Sequence, residues 1–221
     1  RFEFKENGLH ARVVDASHVA MIKMEVDSAA FDTWEIEETD LGLELRKVKE
    51  LISLGAADDM IEMAYTPTSG VMTLNLGKID RNIRPLDNST ISSPNVPQID
   101  IPSKVVMSGA ALAQALRAAK QVGDLVNLSI DSETFTVHVQ GQTDSVTVSF
   151  AKEELDSLEC TKPARSQYSL TYLVPMAKVF AGLGEITLGF GESFPLRLSF
   201  SFNDGAGEVI YYLAPRVESE Y

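Results

Sequence analysis

AALAQALRAAKQVGDLVNLSI, residues 110–130, changes its period half-way along. Up to Gln121 the apolar side chains return every three or four residues, which puts Leu112, Leu116 and Ala119 on one face of a helix. Beyond Gly123 they alternate, as in a strand with one buried face. The design recurs in LRKVKELISLGAADDMIEM (Leu45–Met63) and in YLVPMAKVFAGLGEITLGF (Tyr172–Phe190): short helix, glycine, acidic residue, strand. Val48, Leu51 and Ile52 supply the apolar face of the first helix, and Met176, Val179 and Phe180 that of the third, with Pro175 in a tolerated first turn. Helices of about ten residues are marginal alone and must pack on a sheet.

Each helix leads into three strands with period-2 alternation. They are 60–65, 71–79 and 80–86 after Gly55; 125–130, 134–139 and 145–150 after Gly123; 185–190, 196–202 and 208–214 after Gly184. Turn residues separate them, as in an antiparallel meander with one buried face. The chain opens on the second half of such a unit, with strands at 2–4, 9–14 and 18–26, so Arg1 is expected to lie inside a fourth unit whose first strand and helix precede it. Asp87–Asp100 (DNSTISSPNVPQID) interrupts the pattern and reads as an extended linker. Pro94, Pro97 and Pro102 remove backbone donors there, and Val96, Ile99 and Ile101 argue against full solvation. The expected class is therefore α+β: two similar domains of antiparallel sheet with short helices on one face, residues 1–86 and 101–221, joined by 87–100.

Charge gives the repeat a function. The segments 45–54, 110–121 and 172–181 hold six cations, Arg46, Lys47, Lys49, Arg117, Lys120 and Lys178, against one acid, Glu50. They carry +5 in a chain of net −13, leaving −18 elsewhere (13 basic, 31 acidic). Since charges are screened beyond about 10 Å, a local basic face survives in an acidic protein. The repetition points to a surface that faces a polyanion.

No catalytic constellation stands out. His10, His18 and His138 lack metal-ligand spacing, and Cys160, the single cysteine, fits a reducing compartment. Phosphate-loop, dinucleotide and nucleophile-elbow motifs are absent. Asp58–Asp59, Glu37–Glu38 and Glu153–Glu154 read as solvated turns, and Asp15, Ser17 and His18 are too close in sequence to form a relay. No apolar run approaches the roughly 18 residues of a membrane span. Neither cofactor nor metal is expected.

Three segments make a family recognisable: GLHARVVDASHVAMIKMEVDSAAF (8–31), GESFPLRL (191–198) and YYLAPRVESE (211–220). Together they closely resemble the proliferating cell nuclear antigen family of DNA sliding clamps, in an archaeal style with a compact linker. The resemblance implies a noncatalytic processivity factor: a homotrimeric ring around double-stranded DNA, helices lining the hole and sheets outside. Arg46, Lys47, Lys49, Arg117, Lys120 and Lys178 would then face DNA without reading sequence, while Glu50, Ser53 and Gln114 replace basic positions of the family. It also implies a pocket under the linker for short peptides of DNA polymerase, clamp loader, flap endonuclease and DNA ligase. That pocket would comprise Val14, His18, Met21, Val96, Pro97, Ile101, Pro195, Tyr212, Leu213, Ala214 and Pro215. Subunits would join through edge strands bearing Lys78, Arg81 and Arg84 on one side and Val146, Val148 and Phe150 on the other. The location would be cytoplasmic and nucleoid-associated in an archaeon, nuclear in a eukaryote. A subunit of a heteromeric or checkpoint-type clamp is the alternative within this fold, and a hydrolase using paired carboxylates a third reading.

Overall fold

The computed structural model describes residues 1–91 and 93–216. The chain begins as a meander: β1 (Phe2–Lys5), β2 (Gly8–Val14) and β3 (Ala20–Asp27). After a 3-10 turn at Ser28–Ala30 come β4 (Thr39–Leu41), α1 (Leu45–Ile52), β5 (Ile61–Thr66), β6 (Val71–Leu76) and β7 (Ile79–Ile83). Beyond the linker lie β8 (Ser103–Ser108), α2 (Gly109–Lys120), β9 (Leu125–Ile130), β10 (Thr134–Gln140), β11 (Ser145–Ala151) and β12 (Ser157–Cys160). The last unit is β13 (Ala164–Ser169), α3 (Leu170–Phe180), β14 (Glu185–Gly189), β15 (Leu196–Phe202) and β16 (Gly207–Leu213).

All strand pairs are antiparallel. A nine-stranded sheet runs β12-β8-β14-β15-β16-β3-β2-β1-β4, and smaller sheets run β11-β10-β9-β13 and β5-β6-β7. The large sheet crosses between the two halves of the chain at β16 and β3, which pair from Leu213↔Ala20 to Gly207↔Val26.

In the second half, α2 and α3 pack on each other and on both sheets. Leu112, Leu116 and Ala119 of α2 and Leu173, Ala177 and Phe180 of α3 share one core with Val105, Phe135, Val137 and Leu188. Approach is close at Gly109: a β-carbon there would stand 2.3 Å from the Phe180 carbonyl oxygen. In the first half α1 works alone, with Leu51 packed among Phe4, Leu41, Met72, Leu74, Leu76 and Ile83.

Several expectations need correction. A further strand, β4, β8 or β13, precedes every helix. In β13 the buried positions are Ser166 and Tyr168, so the alternation is one of burial and not of residue type. The run 71–79 is broken at Gly77, which takes φ 58° and turns the chain so that Leu76 pairs with Ile79. Helix α3 starts at Leu170, so Pro175 lies inside the helix and removes a hydrogen bond to the Thr171 carbonyl. Ile52 and Val179 are exposed; each is next in sequence to the residue that anchors its helix, Leu51 or Phe180, and so lies about 100° round from it.

Candidate nucleic-acid and partner surfaces

The repeated helices share a finer register than the sequence pattern alone conveys. Lys49, Arg117 and Lys178 each lie six residues before the glycine, at Gly55, Gly123 and Gly184. Two residues after each cation comes a buried anchor, Leu51, Ala119 or Phe180. Two residues of helix turn the chain by about 200°, so the cation points away from the core in all three. All three are exposed, and no carboxylate among the described residues lies within ion-pair distance of them.

The other helix cations are engaged. Lys47 Nζ meets Glu44 at 2.5 Å, and Lys120 pairs with Asp124 one turn on. Arg46 stands 3.8 Å from Glu50. Glu50 also receives Arg81 Nη2 at 3.2 Å, while Arg81 Nη1 donates to the Lys47 carbonyl at 2.9 Å. Arg81, read from sequence as part of a basic strand edge, is therefore turned back onto α1. Lys78 sits at the β6–β7 hairpin tip and Arg84 lies beyond the end of β7, both exposed.

On the opposite face of the large sheet, one rung brings together Val14, Met21, Tyr212 and Arg197. Met21 and Tyr212 are mostly covered, while Val14, Ala214 and Pro215 are half-buried. Leu213 has the opposite parity: it pairs with Ala20 and Leu196 and is fully buried in the core, so it cannot line this face. His18 is exposed at the tip of the β2–β3 turn with φ 55°. Val96, Pro97, Ile101 and Pro195 are half-buried.

The linker is fastened to the first domain. Asn88 donates to the Asp40 carbonyl, and Ser93 Oγ donates to Glu3 Oε1 at 2.8 Å. Glu3 also receives Arg12 at 2.8 Å and Lys5 at 3.0 Å. Burial alone would raise its carboxyl, but the hydrogen bonds from Arg12, Ser93 and Lys5 outweigh burial and bring the pKa down to about 2. Neither Glu3 nor this cluster was singled out from sequence, where a lone acid on a short strand carries no signal.

Among the strands that end a sheet are β7 in the three-stranded sheet and β11 in the four-stranded one. By position, β11 corresponds to β3, since each closes a meander and runs into a 3-10 turn, Ser28–Ala30 or Lys152–Glu154. Likewise β7 corresponds to β16. The β3–β16 pair inside the chain thus joins the counterparts of β11 and β7. Val146, Val148 and Phe150 of β11 are half-buried on its core side, and β7 offers Ile79 and Ile83 on its own.

The sites suspected of chemistry lie apart. His10 is within hydrogen-bond distance of Glu25 and Asn7, and His138 of Thr147. Among the described residues no three His, Cys, Asp or Glu side chains are grouped to hold a metal ion, and no helix is long and apolar enough to cross a membrane. The acid pairs at 37–38, 58–59 and 153–154 are exposed.

Comparison with known proteins resolves the family. Models of the proliferating cell nuclear antigen N-terminal and C-terminal domains match residues 1–89 and 95–216. The chain belongs to the proliferating cell nuclear antigen family. A relative from Methanosarcina acetivorans, named DNA polymerase sliding clamp, is 34% identical over 221 residues, covering 100% of this chain and 90% of the relative. The structure described as the C-terminal region of FEN-1 bound to A. fulgidus PCNA has a TM-score of 0.92 at 29% identity, covering 99% of this chain and 89% of that one. PCNA from Thermococcus kodakaraensis shares the fold, with a TM-score of 0.88 at 24% identity over 97% of this chain and 89% of that one. The family's fold and its function as a DNA polymerase sliding clamp are those of this chain.

Proposed function

We propose that three copies of this chain close head to tail, β7 of one against β11 of the next, into a noncatalytic ring that encircles double-stranded DNA. The observation that carries the DNA reading is the threefold recurrence of an unpaired cation, Lys49, Arg117 and Lys178, at one position of three like helices. In a ring of three copies, nine such cations would line the inner wall. Lysine and arginine facing phosphates attract without reading bases, so the ring slides and its closure retains it. The bulk of the chain's negative charge lies elsewhere, which keeps the exterior from adhering to nucleic acid.

On the outer face, Val14, His18, Met21, Tyr212, Ala214 and Pro215 with the linker residues Val96, Pro97 and Ile101 form a pocket for short peptides. The bound FEN-1 segment of the A. fulgidus relative supports capture of a flap endonuclease, and DNA polymerase, clamp loader and DNA ligase are expected to use the same pocket. The chain works without a membrane, in the cytoplasm at the nucleoid.

The deciding experiment compares Lys49→Ala/Arg117→Ala/Lys178→Ala with Lys47→Ala/Lys120→Ala in polymerase processivity at rising salt, with ring formation followed by light scattering. The triple variant should lose processivity at lower salt than the parent and the double variant much less, because paired lysines are already partly neutralised. A triple variant that forms trimers and matches the parent at every salt concentration would remove the assignment.

A further inference from the structure

The turn that carries His18 is held by a carboxylate whose hydrogen-bonding capacity is almost entirely used by the turn itself. Asp15 Oδ1 accepts from the Val19 and Ala20 amides at 2.7 and 2.8 Å, and Oδ2 accepts from the Ser17 amide at 3.2 Å. One further donor reaches Oδ2: the hydroxyl of Tyr172, at 3.0 Å, from 157 residues away. Tyr172 stands in the first turn of α3, the helix whose last turn carries Lys178. A single side-chain hydrogen bond thus connects an inner helix of one domain to the outer turn of the other.

We propose that Tyr172 is a positioning residue for the peptide pocket, setting the place of the His18 turn through Asp15; this rests on the pocket reading given above. Three observations favour positioning over general docking of the domains. Docking is already provided by the β3–β16 ladder, continuous from Ala20↔Leu213 to Val26↔Gly207. His18 is held at φ 55°, a conformation that a non-glycine residue keeps only when its surroundings enforce it. Among the described residues the turn has one other hydrogen bond to the second domain, the Ala214 amide donating to the Val19 carbonyl at 2.8 Å, and that lies on the pocket's own rim. The Tyr172 hydroxyl is therefore the support that comes from behind. Helix α3 is a firm base for it, since Leu170, Leu173, Met176, Ala177 and Phe180 fix its rotation in the core.

Tyr172→Phe removes the hydroxyl and leaves the ring. A double-mutant cycle with Asp15→Asn in the full chain, titrated calorimetrically with a synthetic peptide of the FEN-1 C-terminal region from A. fulgidus, reads the coupling. Tyr172→Phe should weaken binding by roughly three- to tenfold, a part of the worth of one hydrogen bond to a charged carboxylate. The double variant should bind no more weakly than Asp15→Asn alone. Hydrogen exchange at the Ser17, Val19 and Ala20 amides should quicken while the β3–β16 amides stay as protected as in the parent. Unchanged affinity and exchange in Tyr172→Phe would overturn the proposal, as would additive losses in the cycle or equal loosening of β3–β16. Met21→Ala/Tyr212→Ala separates the layers. If the parent does not bind the peptide, or binding survives that variant, the pocket reading fails and the proposal with it. If that variant loses binding and Tyr172→Phe does not, the positioning role alone fails.

Discussion

The two halves of the chain repeat one plan but bury it to different depths. In the second half, α2 and α3 pair over β9, β10 and β11, and Val137 and Val139 of β10 are 0% exposed. In the first half the corresponding strands are β2 and β3, where Val13 is 51% and Ile22 36% exposed. Strand β14 pairs with both β8 and β15 and buries Ile186, Leu188 and Gly189; its counterpart β5 pairs with β6 alone and buries no residue fully. Between β5 and residues 30–39, at the position equivalent to that of β8 in the second half, lies a cleft of about 930 Å³ lined by Phe4, Phe31, Trp34, Ile36, Met60 and Tyr65. The comparison teaches that a unit of this fold is completed by a strand and a helix together: one fills the slot in the sheet, the other covers the strip of β2 and β3.

The largest expected effect tests that contrast with one chemical change at two places. Leu116 of α2 and Leu51 of α1 are each 1% exposed. Leu116→Ala leaves a cavity that dense packing cannot close and should cost about 3–5 kcal/mol, at the upper end of such changes. Leu51 packs in a cluster whose Phe4, Leu41 and Met72 line the open cleft and can relax, so Leu51→Ala should cost about 2–3 kcal/mol. Equal losses in denaturant unfolding would break the comparison.

A smaller effect sharpens the difference in polar fastening. The carboxyl of Glu3 titrates at about 2 in the folded chain against a reference of 4.5. A depressed folded value contributes stability that is complete above about pH 4.5 and is lost as pH falls towards 2. Unfolding of the first half, followed through Trp34, should therefore weaken across that window. Glu3→Gln should lower stability by about 1–3 kcal/mol at pH 7, leaving Arg12 without its partner, and flatten the acid dependence. A variant as acid-sensitive as the parent would shift the cause to other carboxylates.

Much of this was legible in the sequence because periodicity reports burial on meander strands and amphipathic helices, and those make up the visible repeat. What escaped did so for identifiable reasons. Strand β13 hides serine and tyrosine inside, so ARSQYS carries no apolar alternation. Leu213 and Tyr212 are neighbours in one motif, yet strand parity sends one to the core and the other to the opposite face of the sheet. Lys47, Lys120 and Arg81 look as free as Lys49 until the fold brings Glu44, Asp124 and Glu50 beside them. The Tyr172–Asp15 bond spans two domains, and no local pattern records it.

The ladder between β3 and β16 has one further consequence. Its two strands belong to one polypeptide and meet at the high effective concentration that a tether provides, in the millimolar range for short flexible connections. In the proposed ring, β7 and β11 have no such tether, because they come from different molecules. Dilution therefore acts on one kind of seam and spares the other. In the proposed ring, dilution would open the seams between subunits and leave each subunit whole and ready to close again.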